Sequence, residues 1–447
     1  MRKKIILSVL IVLICSFSAN AQIGEVAYHL EASFNMANGR PIVRSMYNTN
    51  ISVSYYEENF HGIFVIHKYT STPSDTIELP FNHYVSDFEI LNENLYFCGE
   101  KVNSLISSTS IVGKFNVLHF ANTGNIRIEI DSIPVSKEIN YLNKMVVYEY
   151  NNLSTQTTDT LMMAIGYGMD FDEDNELFEN HIDFFVAKNV SLSLQTWLET
   201  FPNERYHDIV ETDKYVVLVG SELNAPNPNP IGFRRLEKNS PTSSVKDEFH
   251  YCYLPEPEPL TYIMAENIEG TDEFVTATFA SIGGVDGTVI RQFDASSVSM
   301  INSQFIPSLW GKVEPYELKH MHGTDTLLLL QYATEASETM TFYIDYPQQT
   351  SYSTIFEYYP DWNFYSIDRH YDTEYIAIGY SASNPVYLIK DINLPPNCVI
   401  QEVIDIIDIP NYTLTSYPSY MGINPRIPNL ILILSSYDSV NFITDCP

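Results

Sequence analysis

The residues with the clearest potential for chemistry stand together at Asp170-Phe171-Asp172-Glu173-Asp174-Asn175-Glu176. Alternating carboxylates on a loop can converge on one cation, and calcium takes six to eight oxygens. Asp170, Asp172 and Asp174 match the first half of a D-x-D-x-D calcium loop, so calcium is the one cofactor the sequence suggests. The match then stops. Asn175 stands where such a loop needs glycine, and His181 where it needs its closing glutamate. Binding no tighter than about 10⁻⁴–10⁻³ M is expected; the competing reading is a solvated acidic hairpin tip. His320 and His322 can share a strand face, but their spacing offers no further zinc ligand.

Nucleophilic chemistry has no motif to rest on. The chain contains no G-x-S-x-G, H-E-x-x-H, phosphate loop or C-x-x-C. Carboxylate pairs that cleave glycosides meet only in space and leave no spacing to read. With 56 acidic residues, sequence alone cannot single out two. Phe356, Tyr358, Tyr359, Trp362, Phe364 and Tyr365 form an aromatic cluster, read here as packing between repeats.

The formal charge of −32 disfavours nucleic acid and anionic lipid as partners. The chain is nonetheless 45% hydrophobic and 13% aromatic, enough for a large core rather than a disordered acidic tail. Residues 1–21 read as an export signal: Arg2, Lys3 and Lys4, then an apolar run from Ile5 to Phe17, then Ala19-Asn20-Ala21. Ile14 before Cys15 is too bulky for a lipoprotein signal. No later run reaches the ~18 apolar residues of a membrane helix. The mature chain, 22–447, is expected to be exported (periplasmic, cell-surface or secreted) and monomeric. Export permits disulfides. Cys398 and Cys446 would pin the C-terminus as a pair, with Cys98 and Cys252 left free.

The elements that must position any site come from a repeat. Strand-like runs end at Pro80, Pro134, Pro202, Pro255, Pro307, Pro360 and Pro410, and each is followed by a tyrosine: Tyr84, Tyr141, Tyr206, Tyr262, Tyr316, Tyr365, and Tyr412 or Tyr417. Each unit holds four runs rich in β-branched and aromatic residues. The second is a continuous apolar run, as in LYFCG (95–99), LMMAIGY (161–167) and YIAIGY (375–380), which reads as a strand buried on both faces. Four antiparallel strands repeated about every 50 residues predict an all-β, β-propeller fold. The units run 81–134, 135–202, 203–255, 256–307, 308–360 and 361–410. A seventh, closing blade is expected from 22–80 plus 411–447, shared between the two ends. Eight blades are the alternative, should 27–80 form its own unit.

The pattern resembles the secreted bacterial β-propellers of undefined function, over nearly all of 27–447. Recurring Trp-Asp pairs, kelch double glycines and the sialidase Ser-x-Asp-x-Gly-x-Thr-Trp box are missing. Two functions stay open. One is a non-catalytic binding module for extracellular protein or glycan. The other is a glycoside hydrolase or polysaccharide lyase with carboxylates in the axial channel.

Overall fold

The computed structural model describes residues 25–29 and 40–417, apart from short segments of which 239–248 and 253–262 are the longest. The chain forms seven antiparallel sheets. Blades 1 to 6 span 42–78, 83–132, 139–201, 204–252, 263–307 and 313–358. Blade 7 takes three strands from 362–391 and its outermost strand, Glu25–His29, from the other end of the chain. Inner strands of consecutive blades touch around a closed circuit, and that of blade 7 returns to that of blade 1. This is a seven-bladed β-propeller.

Packing shows why the ring closes. Each junction between neighbouring blades holds its own apolar cluster, including the junction of blade 7 with blade 1. The second strands serve two junctions at once. Leu161, Met163 and Ile165 pack toward blade 4, whereas Met162 and Ala164 pack toward blade 2. Phe184 and Phe185 divide in the same way. A strand with side chains alternating between two dry faces has no polar face to present, hence the continuous apolar runs. Burying each such phenylalanine contributes about 1.5–3 kcal/mol.

The closing blade is shared between the two ends, but by other strands than expected. Residues 42–78 are a complete blade, so 22–80 is not half of one, and no eighth blade arises among the described residues. Its first and fourth strands, Ile42–Ser45 and Asp75–Glu78, have only four residues each and give little alternation to read. After blade 7 the chain turns back along the rim. Ile400–Asp405 adds a fifth strand to blade 6, Ile407–Asp408 to blade 5 and Thr415–Tyr417 to blade 4. The run near Tyr417 was expected to begin the closing blade; it covers an outer edge instead. Unpaired edges recruit strands, and this belt covers three of them.

Among the described residues there is one helix, Val117–Thr123. It follows directly on the third strand of blade 2, which ends at Asn116. The Asn116 side chain caps it by accepting from His119 N, and Gly124 closes it at φ 68°. No helix among the described residues is long and apolar enough to cross a membrane. Cys98 and Cys252 are buried free thiols. Cys398 and Cys446 lie outside the described residues.

Candidate functional site

The inner strands carry a repeated irregularity. In blades 2, 3, 4, 6 and 7 one residue bulges out of the pairing with the second strand: Ser86, Asn143, His207, Tyr316 and Tyr365. The bulge pushes the carbonyl two residues earlier over the second strand. There, in four of the five blades, stands a glycine: Gly99, Gly166, Gly220 and Gly379. A Cβ at Gly99 would lie 2.0 Å from Tyr84 O, and one at Gly220 would lie 2.0 Å from Arg205 O. No side chain fits that approach, so glycine ends the apolar run.

The residue just after each bulge turns into the channel: Asp87, Lys144, Asp208, Glu317 and Ser366. Most of these clasp the next blade. Asp87 Oδ2 accepts from Met145 N at 3.2 Å, joining blades 2 and 3. Asp208 Oδ2 accepts from Ala265 N at 2.8 Å, joining blades 4 and 5. Glu317 Oε2 accepts from Ile367 N at 2.9 Å and Ser366 Oγ at 2.6 Å, joining blades 6 and 7. Ser366 Oγ in turn accepts from Val43 N of blade 1 at 3.2 Å.

Arg44 of blade 1 locks this layer. Its Nη2 reaches Asp87 Oδ1 at 2.9 Å, and its Nη1 reaches Glu317 Oε1 at 2.8 Å. Its Nε and Nη1 also donate to Phe88 O and Val43 O. Burial alone would push the Glu317 carboxyl up, but Arg44, Lys319 and Lys144 outweigh it and hold it below the usual range. Asp208, whose burial Lys144 and two backbone N–H groups only partly offset, is pushed up to about 6. Burial lifts Glu89 to about 7 against the pull of Arg44 and Lys319.

This layer separates two chambers. Both are walled by Arg44, Asp87, Lys144 and Glu317. The lower chamber, about 310 Å³, lies where the inner strands end and is lined by Glu89, Asp208, Glu266, Lys319 and Asp368. Lys319 sits 3.6 Å from Asp368 and 3.9 Å from Glu266. The upper chamber, about 490 Å³, lies where the inner strands begin and is lined by Arg40, Glu57, Ser86, Asn143, Tyr316 and Tyr365. A further cavity of about 220 Å³ adjoins it through Asn143 and adds Tyr141, Tyr167, Asp183, Arg205 and His207. All five bulged residues therefore line the two upper cavities.

The electrostatics of this upper face are set by burial. Glu57 is raised to about 7 by desolvation and by the neighbouring Glu100. Asp183 also reaches about 7, through burial that Arg205 and the Tyr206 N–H only partly counter. His207 is depressed to about 3 by burial and by Arg205, and so is neutral.

The residues singled out in sequence fall elsewhere. Asp170 is not on a loop: the second strand of blade 3 runs on to Asp172, which pairs with Leu177. The Asp170 carboxylate is engaged by Lys137 Nζ at 2.7 Å. Asp174 lies outside the described residues, as does His322. His320 is in the inner strand of blade 6 and lines the lower chamber. Phe356, Tyr359 and Phe364 are buried between blades, as expected of packing. Tyr365 also packs between blades, against the cluster at the junction of blades 7 and 1. It stacks near Tyr316, with ring centroids 5.8 Å apart, at the wall of the upper chamber.

No protein-family model matches the chain, and no curated protein matches it. Among solved structures, the chain is similar to the major allergen Mala s 1 of Malassezia sympodialis, with 10% identity over 68% of this chain and 92% of that one and a TM-score of 0.37. It is similar to the β-propeller domain of the Trilobed protease from Pyrococcus furiosus, with 10% identity, coverages of 69% and 95%, and a TM-score of 0.35. It is also similar to the sialidase NanB of Streptococcus pneumoniae, with 10% identity, coverages of 83% and 70%, and a TM-score of 0.38. Likeness at this level carries nothing to the site. The propeller architecture rests on the chain's own sheets.

Proposed function

We propose that this protein is an exported, non-catalytic binding module that takes an extracellular protein or glycan on its upper face. One observation carries the reading. Five inner strands repeat the same bulge, yet the bulged residues differ in chemistry, and all of them line the upper cavities. A shared backbone device that presents serine, asparagine, histidine and tyrosine side by side suits recognition of one shaped ligand.

The competing hydrolase or lyase reading needs axial carboxylates available for proton transfer or attack. Asp87, Asp208 and Glu317 instead each accept from at least two donors, one of them a backbone N–H of the next blade. Their work in the fold favours binding over catalysis.

The test is capture of glycans and proteins on the immobilised mature chain, repeated with an Asn143→Ala/Tyr365→Ala variant whose β-sheet circular dichroism matches the parent. Binding that the double variant loses supports the reading. Binding that it keeps moves the site elsewhere, and turnover of a captured polysaccharide makes the protein an enzyme.

A further inference from the structure

Taken as the binding surface proposed above, the two upper cavities, which share Asn143, are read as one groove with an aromatic patch in each. At one end Tyr316 lies near-parallel to Tyr332 and to Tyr365, at 7° and 19°, with centroids 5.6 and 5.8 Å apart. At the other, Tyr141 and Tyr167 lie 5.9 Å apart. Asn143 stands between the patches, common to both cavities. We propose that this groove binds an uncharged oligosaccharide lying across the upper face, one sugar against Tyr365 and another against Tyr167.

Three features select this chemistry. The first is the pairing of flat aromatic faces with small polar groups. A pyranose ring has apolar C–H faces and a rim of hydroxyls, so it needs both; tyrosine faces supply large, rigid contact area. Ser86, Asn143 and the carboxyls of Glu57 and Asp183 supply hydrogen-bond partners along the path. The two carboxyls have their proton affinity raised by burial to about 7, so near neutral pH each can donate as well as accept, as hydroxyls require.

The second is charge balance. A guanidinium lies over a tyrosine at each end: Arg40 at 3.9 Å from the Tyr316 ring and Arg205 at 5.3 Å from that of Tyr167. Arg40 has its own carboxylate, Glu314 at 3.8 Å, and Arg205 shares its cavity with Asp183, whose rise in proton affinity it only partly counters. Neither arginine is a free anion site, and a chain of charge −32 repels acidic polymers at long range.

The third weighs against an extended peptide. Strand addition needs free backbone donors on a sheet edge. On the inner strands, the N–H groups of Val43, Met145, Ala265 and Ile367 are already taken by side chains of the clasp layer.

The experiment is calorimetric titration of the mature chain with neutral, acidic and amine-bearing oligosaccharides of increasing length, chosen from a glycan array probed alongside a peptide library. The expected result is binding of neutral oligosaccharides that tightens with length. Tyr365→Ala and Tyr167→Ala should each weaken the long ligand about tenfold. Tyr365→Phe should restore affinity, which separates stacking from loss of fold. A length-independent affinity, binding confined to charged glycans, or no glycan binding overturns the proposal. If peptides bind instead and Asn143→Ala abolishes it, the sugar assignment fails while the binding-module reading stands. If ligands bind and no upper-face variant affects them, both fail.

Discussion

Ser86 and Asp87 are adjacent in sequence and belong to different parts of the molecule, as do Asn143 and Lys144, His207 and Asp208, Tyr316 and Glu317. The first of each pair is the bulged residue at the upper cavities. The second sits in the channel layer, where Asp87, Asp208 and Glu317 hold the next blade. The difference of one position teaches how a repeat fold separates scaffold from surface. The clasp is restricted to groups that accept a backbone N–H or balance a charge. The bulge is released from strand pairing and so from that restriction. Axial carboxylates in a propeller invite a catalytic reading; here Asp87, Asp208 and Glu317 each take a backbone N–H of the next blade, and the varied residues lie one step upstream.

The sharpest way to break this comparison is to remove the cation at the centre of the layer. Arg44→Met leaves Asp87 and Glu317 buried without their shared partner. Breaking a buried ion network from one side costs about 3–5 kcal/mol. Urea unfolding should show a loss of that order, and a loss below about 1 kcal/mol would mean that the layer contributes little to the fold.

A second effect should come from the bulge itself. Gly220→Ala places a methyl group 2.0 Å from Arg205 O, so the inner strand must move or the bulge must flatten. Overpacking of this kind costs about 1–3 kcal/mol. Gly124→Ala meets nothing within 4 Å and tests only the helix cap at φ 68°. It should cost roughly 1 kcal/mol, the left-handed penalty for a residue with a side chain. Equal losses from the two would show that the bulge approach is not tight.

Much of the framework is legible in the residue pattern alone. Second strands announce themselves because both of their faces are dry, and their terminal glycines mark the bulge without revealing it. The tyrosine after each proline misleads about equivalence. Tyr206 stands just before a bulge, Tyr316 and Tyr365 are bulged residues, and Tyr84 and Tyr141 lie one place earlier than Tyr206. Register within a strand cannot be read from a composition repeat, yet one position separates packing from the groove. The charge layer is hidden for another reason. Arg44 and Glu317 are 273 residues apart and meet only because the ring closes. The closing strand Glu25–His29 has only five residues and sits beside a short-stranded blade, so the residue pattern sets the phase of the repeat one blade late at the N-terminus.

Titration offers a smaller and more local test. Asp183 is raised from 3.8 to about 7 by burial, so the folded state holds its proton more tightly than the unfolded chain does. The stability this contributes is complete below about pH 4 and is lost as pH rises through 7. Asp183→Asn removes that dependence. Relative to the parent, its melting temperature should therefore improve between pH 5 and pH 8, and an unchanged difference would place Asp183 in a wetter site. His207, depressed to about 3, acts with the opposite sign: its contribution is lost as pH falls from 6.5, so His207→Gln should gain on the parent toward acid.

The smallest expected change is the most informative about function. If the bulged positions are surface rather than scaffold, Ser86→Ala and Asn143→Ala should alter unfolding free energy by no more than about 0.5 kcal/mol, the usual range for substitutions outside packed or networked sites. The neighbouring changes Asp87→Ala and Lys144→Ala provide the contrast on the same strands. Asp87→Ala strips an acceptor from Met145 N, Phe88 N and Arg44 together, so its loss should approach that of Arg44→Met. Lys144→Ala should cost less, since its ammonium is 4.0 Å from Asp87 Oδ2, a longer approach than the 2.9 Å of Arg44 Nη2. The order Asp87 above Lys144 above Ser86 and Asn143, measured by denaturant unfolding, is the result the separation demands. A loss at Asn143 as large as that at Asp87 would make the bulge part of the framework and leave the upper groove without residues free to specialise.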